Sequence, residues 1–150
     1  MMSACSYRVA ILSCSDMTGD LSDADYGQLL GFRDGLRRFL HWSEAQARAV
    51  GLTAPQHQLL LAVRGHGPSA PSIGEVAEHL LLRHHSVVEL VDRAERAGLV
   101  ARVPDEDDQR VVRLRLTADG ERRLAALGQS HLEELSRLRP QFESLWARLP

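Results

Sequence analysis

Between Ser72 and Thr117 two short amphipathic patterns and two β-compatible runs follow one another with almost no connecting sequence, and few folds accommodate that order. Ile73, Val76, Ala77 and Leu80 recur at helical spacing, and Val87, Leu90, Val91 and Ala94 repeat the pattern one short turn later. Ser72 has Glu75 three residues on, the capping-box arrangement that satisfies free amides at a helix start. Ala77 is small where the two helices would cross. Gly98 ends the second helix, since glycine readily takes the left-handed conformation of a helix terminus. Leu99–Val103 is then strand-like, Pro104–Gln109 is polar and turn-forming, and Arg110–Leu116 alternates again. The alternation predicts Val112, Leu114 and Leu116 facing inward and Val111, Arg113 and Arg115 facing outward. Thr117 is placed to cap a further helix. Two helices with a hairpin directly behind the second make a winged helix-turn-helix, in a chain that is mainly α with a small β-hairpin wing.

The segments on either side are long helical patterns. One runs from Asp25 to about Val50 and carries Leu29, Leu30, Phe32, Leu36, Phe39, Leu40 and Trp42. Another runs from Thr117 to Leu149 through Leu124, Leu127, Leu132, Leu135, Leu138, Phe142, Leu145 and Trp146. Pro140 is expected to break or kink the last helix and turn its end toward a neighbour. Together they carry more apolar surface than a small winged domain can cover. With 150 residues and 44% hydrophobic content the chain can build one core, yet it is short enough to draw on a partner subunit.

The ordered short motifs of this region resemble the MarR family of bacterial transcription regulators. They are Ala77 and Leu80, Ser86-Val87, Leu90-Val91-Asp92-Arg93, Gly98-Leu99-Val100 with Arg102, Asp108-Gln109-Arg110, and Leu114-Arg115-Leu116-Thr117 with Gly120. The likeness extends upstream through Gly51-Leu52-Thr53 and Gln56 to Leu61. Two residues depart from it: Leu81 stands where relatives often have Gly in the turn, and Ala94 where Leu is usual. Residues 1–22, with their Met, Ser and Gly, read as a flexible leader. The resemblance, which covers roughly Asp25 to the C-terminus, implies a domain over 23–150 with a DNA-binding lobe at about 53–117 and dimerisation helices at 23–50 and 117–150. It also implies a homodimer that sets two recognition helices about one DNA turn apart on a palindromic operator in double-stranded DNA. Repression relieved by a small-molecule effector, in the cytoplasm, completes the expectation.

In such a fold the second helix enters the major groove by its N-terminal end, which assigns Arg83, His84, His85 and Ser86 to the groove. One turn later Val88 suits a thymine methyl and Glu89 a cytosine amino group. Val88 is equally a lone exposed apolar residue, and Glu89 is spaced to pair with Arg93. Arg110 at the wing tip resembles the family's minor-groove arginine, with Asp108 expected to hold its guanidinium, and Arg113 is a further basic contact on the wing. The net charge of −2 does not itself favour DNA, so charge must be distributed over the surface. All 18 basic residues are arginine, whose planar fork suits phosphate and guanine.

Candidates for an effector site are His41, Trp42, His57, Arg64 and His66, on or after the first two helices, with an aromatic carboxylate or other planar anion as the family-based guess. No metal or cofactor is expected: adjacent His84 and His85 point about a third of a turn apart, and no Cys or carboxylate cluster completes a tetrahedral set. Cys5 and Cys14 read as unspecialised thiols in the leader. No basic n-region precedes the apolar run Tyr7–Cys14, and no stretch approaches the roughly 20 apolar residues of a membrane span. No Gly-rich phosphate loop, Ser/His/Asp set or HExxH pattern points to an enzyme. The competing class is a winged-helix module that grips protein instead of DNA.

Overall fold

The computed structural model describes residues 21–147, apart from the side chain of Leu145. The leader thiols Cys5 and Cys14, and the expected helix end at Leu149, lie outside the described residues. The elements run α1 (Asp23–Ala49), α2 (Ala54–Gly65), α3 (Ile73–Leu80), α4 (His84–Arg96), β1 (Val100–Pro104), β2 (Val112–Leu116) and α5 (Ala118–Trp146). Three of the helix starts use one device. Ser22 with Asp25, Thr53 with Gln56 and Ser72 with Glu75 form reciprocal capping boxes at α1, α2 and α3. At α5 the Thr117 Oγ1 accepts from the Gly120 amide at 3.1 Å and donates to the Gly98 carbonyl, tying the helix start to the end of α4. Gly98 sits at φ +70°, as its place after α4 requires.

The core lies in the winged lobe. Leu59, Leu60 and Val63 of α2, Val76 and Ala77 of α3, and Val87, Leu90, Val91 and Ala94 of α4 pack with Leu99, Val100 and Leu114 of the hairpin. Leu124 and Leu127 of α5 join them, as do Ala47 and Leu52 at the α1–α2 junction. Each buried leucine or valine withdraws apolar surface worth about 1.5–3 kcal/mol, so this single cluster dominates the stability of the lobe.

Strands β1 and β2 pair antiparallel, with Val100 opposite Leu116, Arg102 opposite Leu114 and Pro104 opposite Val112. The loop before α3 adds a third, one-bridge partner, where the Leu114 amide donates to the Pro71 carbonyl at 2.8 Å beside a Ser72–Arg113 bridge. The alternation expected for β2 holds at Leu114, which is fully buried, but fails toward the wing tip. Val112 is exposed and Arg113 is half-buried. The tip of the hairpin extends past the core, so nothing covers Val112, while ionic partners draw Arg113 inward.

Helix α5 continues without a break through Pro140. The expected break does not occur. Proline removes one backbone donor, and the segment beyond it is held by Phe142 and Trp146, whose rings meet Phe32 of α1 edge-on at 6.1 and 6.0 Å. Gly35 of α1 is buried against Gln141 and Phe142. This contact uses one face of α1 and leaves another bare. Leu29, Leu30, Leu36 and Leu40 of α1 are all exposed, together with Tyr26, and Leu132 and Leu135 of α5.

Candidate nucleic-acid interface and effector hollow

Helix α4 presents its first turn to solvent. Arg83 is the N-cap residue without a side-chain capping bond, and Arg83, His84 and His85 are exposed while Ser86 is half-buried. The amphipathic spacing causes this, since Val87, Leu90, Val91 and Ala94 fix the opposite face in the core. Val88 is half-buried, and Glu89 is exposed with no ion pair to Arg93 among the described residues. Asp92 turns toward the hairpin, where Arg102 of β1 reaches both Asp92 and Glu95 with its guanidinium. The Arg102 amide also donates to Glu95 at 3.2 Å. One arginine therefore pins α4 to the wing.

The wing turn is organised by Asp105. Its Oδ1 accepts the amides of Asp107 and Asp108, each at 3.0 Å, and its Oδ2 accepts from Arg113 Nε at 2.6 Å. Arg113, followed by the turn amides of Asp108 and Asp107, holds the Asp105 carboxyl below the usual carboxylate range. Arg113 also donates to Glu75 at 3.0 Å and to the Ala70 carbonyl at 3.3 Å. The outward, DNA-facing placement expected for Arg113 is therefore corrected: it links the wing to the start of α3. Glu75 caps α3 through the Ser72 amide, the main reason its carboxyl is held below the ordinary value.

Asp108 also differs from expectation. Its carboxylate accepts from the Arg110 backbone amide at 3.0 Å, an Asx turn, and not from the guanidinium. The turn holds the backbone and leaves the Arg110 side chain exposed at the wing tip. Among the described residues, Arg83, Arg110 and Arg115 have no ion-pair partner, whereas Asp92, Glu95, Glu75 and Asp105 are each engaged by Arg102 or Arg113. The internal pairs thus neutralise four acids next to three free arginines.

The five effector candidates fall in four places. His41 and His57 line a hollow of about 390 Å³ between α1 and α2, with Arg37, Leu40, Ser43, Glu44, Ala54 and Gln58. Trp42 faces the other way, tilted against His131 of α5 with 4.9 Å between ring centroids. Arg64 borders a smaller hollow of about 210 Å³ beside β2 and Glu121. His66 pairs with His79, Nδ1 to Nε2 at 2.9 Å, and lies 3.7 Å from Glu75. A single five-residue pocket is therefore not formed.

His131 is the functional candidate that the sequence pattern does not disclose. Its Nδ1 lies 2.8 Å from the Leu127 carbonyl and its Nε2 2.7 Å from the Ser43 hydroxyl, so a neutral ring donates to the first and accepts from the second. Its ring lies 4.8 Å from that of buried His57. Burial, and to a lesser extent the neighbouring His131, pushes the His57 imidazole below its ordinary value. Among the described residues no group of three or more His, Cys, Asp or Glu is placed to hold a metal ion, and no helix is long and apolar enough to cross a membrane.

A buried helix pair, an exposed helix start and a hairpin locked behind it define a winged helix-turn-helix. Residues 50–111 match the family model described as MarR family. The transcriptional regulator PecS of Dickeya dadantii is 30% identical over 83 residues, which are 55% of this chain and 50% of PecS. The chain spans about half the length of the curated relatives it matches. A MarR family protein from Bacillus stearothermophilus is similar in structure, with 28% identity, a TM-score of 0.67, and coverage of 79% of this chain and 81% of that one. A mutant of S. aureus MepR bound to an oligodeoxyribonucleotide superposes with a TM-score of 0.58 at 21% identity, covering 83% and 84% of the two chains.

Proposed function

We propose that this protein is a sequence-specific double-stranded DNA-binding transcription regulator that acts as a homodimer. The observation that carries the reading is the exposed Arg83-His84-His85 start of α4 beside the wing-tip Arg110, with four neighbouring acids tied into internal pairs. Phosphates then meet uncompensated guanidinium groups, although the whole chain is slightly acidic. Arg83, His84, His85 and Ser86 enter the major groove, with Val88 and Glu89 one turn further in, and Arg110 enters the minor groove on the backbone set by Asp108. The bare apolar face of α1 and the exposed leucines of α5 support pairing of two copies. The likeness to MarR family proteins supports regulation of a target operator, which this reading takes to be repression. The hollow bearing His41 and His57, at the junction of α1 with the winged lobe, supports release by a small effector.

Selection of bound duplexes from a random pool tests the reading. The expected result is a palindromic motif bound with a steep salt dependence. Arg110→Ala is expected to weaken binding to that duplex about tenfold or more in gel-shift titration, with the dimer intact by light scattering. Failure to bind any duplex at low salt refutes the function, and unchanged affinity refutes the role of Arg110.

A further inference from the structure

Leu81 is the sole non-glycine residue with positive φ among the described residues, at φ 53° and ψ 38°. The other positive-φ positions, at 51, 67 and 98, are all glycine. A leucine there is strained by its Cβ, which crowds the backbone in the left-handed region. The fold gives nothing back for it. The Leu81 side chain is 81% exposed, and the turn is closed by backbone bonds that glycine would make equally well, Leu81 N–H to Glu78 O at 3.3 Å and Leu82 N–H to Ala77 O at 3.1 Å. Leu82 beside it is also exposed. The two side chains form an apolar step in water, and the next residue in the chain is Arg83, the N-cap of α4.

We propose that Leu81, with Leu82, is an apolar contact residue of the DNA interface, covering a thymine methyl or a deoxyribose edge where α4 enters the major groove. The inference rests on the DNA-binding reading above and extends that interface by one apolar patch at its edge. Three features point to duplex DNA as the occupant. The step is continuous with the exposed Arg83-His84-His85 turn, the neighbouring guanidinium would hold a phosphate next to it, and thymine methyls and sugars are the apolar surfaces that a duplex offers at that position. A strained residue without a packing role in the free protein is then explained by a role in the complex.

The test compares the full-length protein with Leu81→Ala, which removes the side chain and keeps the strain, and Leu81→Gly, which removes both. Thermal unfolding and gel-shift titration on the duplex selected by the wild type are measured for all three. Leu81→Gly is expected to raise Tm while Leu81→Ala does not, and both are expected to raise Kd about tenfold, the factor that losing one buried leucine contact carries. Replacing thymine by uracil in the duplex separates the two surfaces. A wild-type loss that Leu81→Ala abolishes identifies the methyl, and equal affinities identify the sugar. A Leu81→Gly protein with higher Tm and unchanged Kd overturns the proposal, since the leucine is then merely tolerated, and one with lower Tm overturns its premise. A wild type that binds no duplex removes the DNA-binding reading itself, whereas unchanged Kd in both variants removes this proposal alone.

Discussion

Gly120 offers the sharpest test of how the long last helix is docked on the winged lobe. A Cβ built on Gly120 falls 2.1 Å from the Leu99 carbonyl oxygen and 3.1 Å from its carbon. Carbon and carbonyl oxygen normally approach to about 3.3 Å, so Gly120→Ala must push α5 away from the entry of β1 by roughly 1 Å. Leu99 O accepts the Thr117 amide at 3.1 Å, and Thr117 Oγ1 donates to the Gly98 carbonyl, so the shift strains both bonds. Two weakened hydrogen bonds remove about 2 kcal/mol and overpacking adds about 1–3 kcal/mol, against a helix-propensity gain of about 1 kcal/mol for alanine. The net expectation is destabilisation by about 2–4 kcal/mol, or a fall in Tm of roughly 5–15 °C. Urea unfolding at fixed protein concentration measures it as a lower midpoint at constant slope. Gly128→Ala in the same helix is the control, because nothing lies within 4 Å of its added Cβ, and propensity alone should stabilise it by up to about 1 kcal/mol. Equal or greater stability of Gly120→Ala would refute the reasoning.

Two further outcomes concern the flanking helices. Because burial holds the His57 imidazole below the ordinary 6.5, the folded protein binds that proton less readily than the unfolded chain. Above 6.5 both states are neutral at this site; as pH falls below it the unfolded chain takes up the proton first, and stability is lost until the pH passes the depressed folded value. Urea midpoints at about pH 7.5 and about pH 5.5 should therefore diverge less in His57→Phe than in the wild type, and an identical divergence would exclude His57 as a source. Deletion from Pro140 onward removes Phe142 and Trp146, which pack on Phe32, and is expected to yield monomer or aggregate by light scattering. A well-folded dimer would contradict the pairing assigned to α1 and α5.

Local chemistry made much of this fold readable. Ser72 with Glu75 marked the start of α3, Gly98 marked the end of α4, and the periods of 3.6 and 2 separated helices from hairpin. The same capping pattern is present at Ser22 with Asp25, which starts α1 earlier than hydrophobic spacing alone suggests. What was not legible depends on neighbours distant in sequence. Alternation fixed Leu114 in the core but not Arg113, whose position is decided by Glu75 from another element and Asp105 across the turn. His41 and Trp42 are adjacent in sequence, yet adjacent helical residues point about 100° apart, so one lines the hollow and the other meets α5. His57 and Arg64 share a helix but are separated by two turns, about 10 Å along the axis. No local pattern brings His131 to His57, because α5 reaches that junction only after the hairpin has folded back.

The two arginine clamps, from Arg102 to α4 and from Arg113 to α3, tie the hairpin to both short helices of the winged lobe. Each strand of the hairpin is fastened to a different helix, so the surface proposed to meet DNA is tied together at two points. Bending the wing or tilting α4 within one copy would break these ion pairs. In the proposed dimer, an effector held in the α1–α2 hollow would then act on the separation or angle between the two winged lobes, so that both no longer fit successive grooves of the same duplex.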